Sequence, residues 1–182
     1  PILLKQSETD QMTGLANRYR LNAYSEKVLD YCYEHRLPLA MEILDIDFFK
    51  QYNDNYGHQQ GDECIIAIAD ELKKMEDRQT FCARYGGDEF IIIYAGISAE
   101  EVHAKAGALR QNIMNLKLEH LYSNALPIVT ISQGISYGVP EEGNRSWDFL
   151  HTADMLLYQV KKRSRNDICI AAIRGQELDL SS

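Results

Sequence analysis

Two apolar runs, residues 81–84 and 89–94, are separated by Tyr85-Gly86-Gly87-Asp88. No other feature constrains the chain as much. Adjacent glycines between extended runs fit a tight antiparallel hairpin, because both can adopt positive φ without steric cost. Residues 39–46, after Pro38, read as a buried strand, and 129–136 and 167–172 as two more. Helical periodicity predicts helices at about 17–34, 62–75, 99–116 and 147–163. A short helix-like piece runs to about Asn55 and ends in a turn at Gly57. Strands that alternate with helices, plus one antiparallel hairpin, predict an α/β (α+β) fold with a mixed sheet covered by helices.

Four carboxylates fall where hydrophobic patterning does not explain them. Asp45 and Asp47 stand where the 39–46 strand emerges, and Asp88 and Glu89 stand at the hairpin tip. If the two strands are neighbours, all four acids converge at one sheet end. Like charges that close need something positive between them. A donor set of oxygens without His or Cys suits a hard cation, Mg²⁺ or Mn²⁺, shared with substrate phosphates. The alternative, a solvated loop acid and a helix N-cap, fits Asp47 alone but not Asp45 with Asp88 and Glu89.

The 182 residues suit one domain, with residues 1–9 as the end of an upstream linker helix, 10–173 as the domain and 174–182 as a tail. A formal charge of -8, from 19 Lys+Arg against 27 Asp+Glu, argues against a nucleic-acid partner. It does not argue against a nucleotide, since a metal ion can carry the positive charge. Cys32, Cys64, Cys82 and Cys169 are scattered and form no metal-binding spacing, which predicts reduced thiols and a cytoplasmic setting. The longest apolar stretches are too short to cross a bilayer, so no direct membrane contact is expected, and a membrane-anchored parent protein stays open.

Arg84-Tyr85-Gly86-Gly87-Asp88-Glu89-Phe90 resembles the signature of the GGDEF family, the bacterial diguanylate cyclases. Residues 10–18 resemble the motif with which those domains begin, with Met12 and Tyr19 as departures. Asp45-Ile46-Asp47-Phe48-Phe49-Lys50, Asn53-Asp54, Gly57-His58 and Gly61-Asp62 follow the family's central pattern. Tyr158, Lys161, Arg165 and Asn166 resemble its closing motif, although Ser164 replaces the usual glycine. The likeness covers about residues 10–170.

The resemblance implies a polymerase-palm or adenylyl-cyclase-like fold with a central five-stranded sheet. It implies condensation of two GTP into cyclic di-GMP with release of two pyrophosphates, at a site shared by a homodimer. By the same resemblance Asp45, Asp88, Glu89 and the Ile46 carbonyl would hold two Mg²⁺ or Mn²⁺ ions, and Asp88 would also act as base. Gly86 and Gly87 would let substrate approach the backbone, and Lys50 would stabilise transition-state charge. The amides of Phe48 and Phe49, if they open a helix, would face phosphate oxygens. Asn53 and Asp62 would read guanine, whose N1–H and N2–H₂ suit a carboxylate acceptor as adenine does not; alternatively, Asp62 caps the next helix. His58 is either a turn-fixing residue or a substrate contact. Lys161 and Arg165, four residues apart, would share a helix face and clamp phosphates, or else simply satisfy a helix C-terminus. The family's inhibitory product site has Arg-x-x-Asp where this chain has Asp77-Arg78-Gln79-Thr80, so product inhibition through it is not expected. A sensor or dimerisation element upstream is implied, and the rival reading is a non-catalytic GTP-binding regulatory module.

Overall fold

The computed structural model describes residues 7–173, so the expectations for residues 1–6 and for the tail at 174–182 lie outside it. Ser7 and Glu8, expected within the end of a helix, are not helical. In chain order the elements are α1 (Arg18–His35), β1 (Leu39–Ile46), α2 (Phe49–Tyr56), α3 (His58–Lys73), β2 (Thr80–Gly86), β3 (Glu89–Ala95), α4 (Ala99–Asn115), β4 (Ile131–Gly138), α5 (Ser146–Arg163) and β5 (Ile168–Ala172). They build one five-stranded sheet of order β2-β3-β1-β4-β5. The central strand β1 runs antiparallel to both neighbours, β3 and β4, while β4 and β5 are parallel.

β1 is buried along its whole length because helices cover both faces of the sheet. Alternate side chains serve alternate layers. Ala40, Leu44 and Ile46 of β1 with Phe90 and Ile92 of β3 join Ile65, Ile68 and Leu72 of α3 and Leu109 of α4. Met41 and Ile43 with Ile91 and Ile93 join Leu21 and Leu29 of α1 and Phe149 and Leu157 of α5 on the other side. The four cysteines are buried, as expected of thiols that pack as small apolar groups. Among the described residues, no helix is long and apolar enough to cross a membrane.

Three details differ from the sequence reading. The hairpin uses one glycine, not two, in the left-handed region: Gly87 has φ 52°. Gly86 instead ends β2 opposite Glu89, and the register slips between Arg84 and Gly86, leaving Tyr85 as the irregular residue. Second, α3 begins at His58, four residues before the expected start, with Gly57 at φ 91° joining it to α2. Asp62 therefore lies inside the helix and caps nothing. Third, β4 starts at Ile131, two residues later than expected, although the Asp47 amide still bonds the Thr130 carbonyl (2.9 Å) as β1 runs out.

Gly134 of β4 sets how closely α5 docks. A β-carbon there would lie 2.3 Å from the Ala153 carbonyl oxygen and the Leu157 nitrogen, so helix and sheet backbones touch. That contact holds the α5 end carrying Lys161 against the sheet.

One acid sits in the middle of the core. Glu42 of β1 is fully buried and accepts hydrogen bonds from the Tyr94 hydroxyl (2.7 Å) and Gln133 Nε2 (2.9 Å). Burial pushes its carboxyl up to about 7 from 4.5, and the two donors oppose that shift. A carboxyl whose folded pKa is raised binds its proton more tightly in the folded state, so its contribution is fully present below pH 4.5 and is lost as pH rises through about 7. Urea unfolding across that range is expected to show stability falling by roughly 2–3 kcal/mol with rising pH, and Glu42→Gln should flatten most of that slope.

Candidate active site

The register of the two central strands brings the acids together. Asp45, at the end of β1, lies directly opposite Glu89, the first residue of β3, and Asp88 occupies the turn before it. Asp45 is buried; its Oδ2 forms an ion pair with Lys161 Nζ from α5, and its Oδ1 has no hydrogen-bond partner. Burial pushes the Asp45 carboxyl up to about 6, Lys161 pulls against that, and the charges of Asp88 and Asp47 add to it. Asp88 and Glu89 are also raised, chiefly by burial, with Lys161 opposing in both cases. Asp154 of α5 adds its negative charge at Glu89. Three carboxyls whose charged forms burial disfavours, with one ammonium among them, form a site short of positive charge.

The donors present fit a hard cation. The unpartnered, buried Asp45 Oδ1 beside the Asp88 carboxylate is an all-oxygen set without His or Cys. Among the described residues, no three His, Cys, Asp or Glu side chains close into a ready-made cage, so substrate oxygens and waters would have to complete the shell. Lys161, the ion-pair partner of Asp45, also lines a concavity of about 470 Å³ along α5, together with Asp154, Met155 and Tyr158 among others. A separate 690 Å³ concavity near Gly138 and His151 shares no residue with the acid cluster.

Asp47 is not the solvated acid or cap that its position after the strand allows. It is fully buried and accepts from Thr130 Oγ1 (2.7 Å), Ser132 Oγ (2.5 Å) and the Asn166 amide (2.9 Å), with Arg165 Nη1 at 3.9 Å. This carboxylate ties the end of β1 to β4 and to the loop after α5. Arg165 lies beyond α5, past its C-cap Ser164, at φ 52°. It therefore does not share a helix face with Lys161, and the i,i+4 expectation is corrected. Instead its guanidinium stacks 4.2 Å over the Phe48 ring.

Phe48 caps α2 in the left-handed region, φ 54° and ψ 38°, without a side-chain cap bond. For a bulky residue that conformation costs about 1–3 kcal/mol and tends to mark functional turns. α2 opens at Phe49, so of the two amides expected at a helix start only that of Phe49 lies inside the helix, Phe48 being the N-cap; Lys50 is exposed. Asn53 of α2 packs against Gly61 of α3: a β-carbon at Gly61 would sit 1.8 Å from Asn53 Oδ1, which is buried without a partner. Asp62, the next residue, is exposed beside it, so the structure brings the two expected guanine readers to one place. His58 is exposed at the start of α3, and Gly86 and Gly87 are exposed at the hairpin.

Two tethers escaped the sequence reading. Arg84 donates from Nε (3.1 Å) and Nη2 (3.0 Å) to the Gly87 carbonyl and from Nη1 to Asp10 (3.3 Å), while its amide bonds Ala16. Arg18 lies 3.9 Å over the Tyr85 ring. The hairpin is thus clamped to the N-terminal turn, and the signal was the arginine two residues ahead of the glycines. The second tether is His120, whose sequence neighbourhood carries no motif. Asp77 and Thr80, at the positions of the missing inhibitory site, both contact Lys105 (3.1 and 2.9 Å).

The family described as "Diguanylate cyclase, GGDEF domain" matches residues 7–167, nearly the whole described chain. The probable diguanylate cyclase DgcC of Escherichia coli is 34% identical over 91% of this chain, and response regulator PleD of Caulobacter vibrioides is 30% identical over 91%. Those alignments cover 44% and 36% of the relatives, so the chain spans less than half their length. The crystal structure of the GGDEF domain of DgcB from Caulobacter crescentus in complex with c-di-GMP superposes with a TM-score of 0.82 at 28% identity, covering 96% of this chain and 98% of that one. The active GGEEF domain of a diguanylate cyclase from Vibrio cholerae gives 0.74 at 30% identity, over 86% and 97%. The chain belongs to the GGDEF domain family.

Asp45 and Asp47 are expected to differ in what they do for stability. Asp47→Asn should cost about 2 kcal/mol, since an amide nitrogen would face one of the hydroxyl or amide donors. Asp45→Asn should change stability by less than about 1 kcal/mol, because the wild-type carboxylate is itself buried at a cost. Denaturant titrations of both variants at pH 7.5 check this.

Proposed function

We propose that the chain is a metal-dependent diguanylate cyclase that condenses two GTP into cyclic di-GMP and two pyrophosphates. The observation that carries this reading is the buried Asp45, with its unpartnered Oδ1, held in register beside Asp88 and Glu89. In each half of the reaction a ribose 3′-oxygen attacks the α-phosphorus of the other GTP. A P–O bond forms as the α–β anhydride bond breaks, and pyrophosphate leaves. The Asp88 carboxylate takes the 3′-hydroxyl proton. Two Mg²⁺ or Mn²⁺ ions held by Asp45, Asp88, Glu89 and the Ile46 carbonyl would neutralise charge on the phosphates. The amides of Phe48 and Phe49, with Lys50, Lys161 and Arg165, bind and orient the triphosphate, and Asn53 and Asp62 select guanine. His58, exposed at the same turn, is a further substrate contact, and Gly86 and Gly87 admit the nucleotide to the hairpin backbone.

Each chain holds one GTP, so the ring closes only when two copies face each other about a twofold axis. Supporting a role as output domain of a longer cytoplasmic signalling protein, with its sensor or dimerisation element upstream, the DgcC relative is more than twice as long as the matched segment. The solved relatives include one described as the coiled coil and GGDEF domain of DgcB.

Mass spectrometry after incubation with GTP and Mg²⁺ or Mn²⁺ tests the reading. Wild type should yield cyclic di-GMP with turnover per chain rising with protein concentration. Asp88→Asn should lose about a hundredfold or more. GTP binding without any product would instead favour a regulatory module. A second expectation concerns feedback: because Asp77 and Thr80 are engaged by Lys105 and no arginine stands at 77, micromolar cyclic di-GMP should leave the initial rate unchanged.

A further inference from the structure

The loop joining α4 to β4 reaches behind the helix-opening turn of the site. Glu119 bridges Ile128 and the His120 amide bonds the Pro127 carbonyl (3.0 Å), which narrows the loop into a small hairpin. His120, fully buried, projects under α2 and packs edge-on against Tyr52 (5.2 Å, 86°) and Tyr56 (6.2 Å, 78°). The loop is fastened there by the Leu121 amide on the Tyr56 hydroxyl (3.0 Å) and by Tyr122 against the Tyr56 ring (5.7 Å).

His120 Nε2 lies 2.9 Å from the carbonyl oxygen of Phe48. A carbonyl only accepts, so the contact assigns the hydrogen to Nε2. The same carbonyl takes the Tyr52 amide (3.0 Å), the first helical bond of α2. The Phe48 carbonyl and the Phe49 amide belong to one planar, trans peptide unit and point in opposite directions. Fixing the oxygen from behind therefore fixes the direction of the Phe49 N–H in front. Phe48 has no side-chain cap to hold its left-handed backbone, and Arg165 braces only its ring.

We propose that His120 is a positioning residue for triphosphate recognition, locking the Phe48–Phe49 peptide plane so that its amide faces the phosphates. The inference rests on the reading of this turn as the phosphate cradle of a GTP site. His120 touches no reacting atom; it acts through Phe48.

Calorimetric titration with α,β-methylene GTP and with GMP, both with Mg²⁺, tests it on wild type, His120→Phe and His120→Gln. His120→Phe keeps an aromatic ring against Tyr52 and Tyr56 but removes the donor. Its affinity for the triphosphate analogue should fall about tenfold or more, while GMP affinity changes less than about twofold. His120→Gln, which can present an Nε2 donor to the same carbonyl, should recover most of the loss. A merely structural role would weaken both ligands together or neither, and either result overturns the proposal. If His120→Phe does not fold, Tyr56→Phe releases the loop at Leu121 and should show the same selective loss, severalfold; equal loss for both ligands again refutes it. A wild type that binds the analogue but makes no cyclic di-GMP sinks the cyclase reading and leaves this one standing. A wild type that binds neither ligand overturns both.

Discussion

The antiparallel register between β1 and β3 is the constraint from which the site follows. It sets Asp45 opposite Glu89 and puts the Gly87 turn just beyond, so two acids separated by more than forty residues in the chain share one sheet end. A one-residue slip would turn every side chain of β1 to the other face, carrying Leu44 and Met41 out of their layers. Because β1 is buried on both faces, the core itself enforces the register. The hydrophobic packing and the acid cluster are thus one specification.

Neighbouring aspartates on the same strand end serve different ends for electrostatic reasons. Asp47 is given three hydrogen-bond donors and becomes a buried tie between β1, β4 and the loop after α5. Asp45 is given burial, a single ammonium and two nearby negative charges, and its carboxyl is pushed up to about 6. The first arrangement stabilises the fold; the second keeps a carboxylate under-satisfied, which suits the cation-binding role proposed for it. Lys161 answers to both sheet and site, because Gly134 lets α5 lie directly on β4.

The turn between β1 and α2 is braced from three directions. Asp47 anchors its start, Arg165 covers the Phe48 ring, and His120 holds the Phe48 carbonyl. The hairpin on the opposite side is braced by Arg84, which joins the Gly87 carbonyl to Asp10 of the N-terminal turn. Both margins of the acid cluster are therefore fixed by long-range contacts and not by local propensity. Through Arg84, whatever moves the N-terminal turn also bears on the Gly87 carbonyl.

Much of this was legible without coordinates. The strands and four of the five helices, to within a residue or two at most ends, announce themselves through apolar runs and glycines, and so does the meeting of Asp45 with Glu89 at one sheet end. The early start of α3 was hidden because Gly57-His58 reads as a turn, and neither residue signals that helical bonding begins at once. For Asp47 the sequence leaves open a solvated loop acid or a cap, because a polar residue at a strand end looks alike whether it faces water or Thr130. Arg165 was set on a helix face by counting residues, whereas the chain leaves α5 at Ser164 through a left-handed step. His120 could not be found at all, since its partner is a backbone carbonyl 72 residues away. Which chemical groups are present, and which segments bury them, can be read from the residue order alone, because periodicity and residue type act locally. Which acid is satisfied and which is left wanting is set by the folded chain, because it depends on donors brought from distant segments.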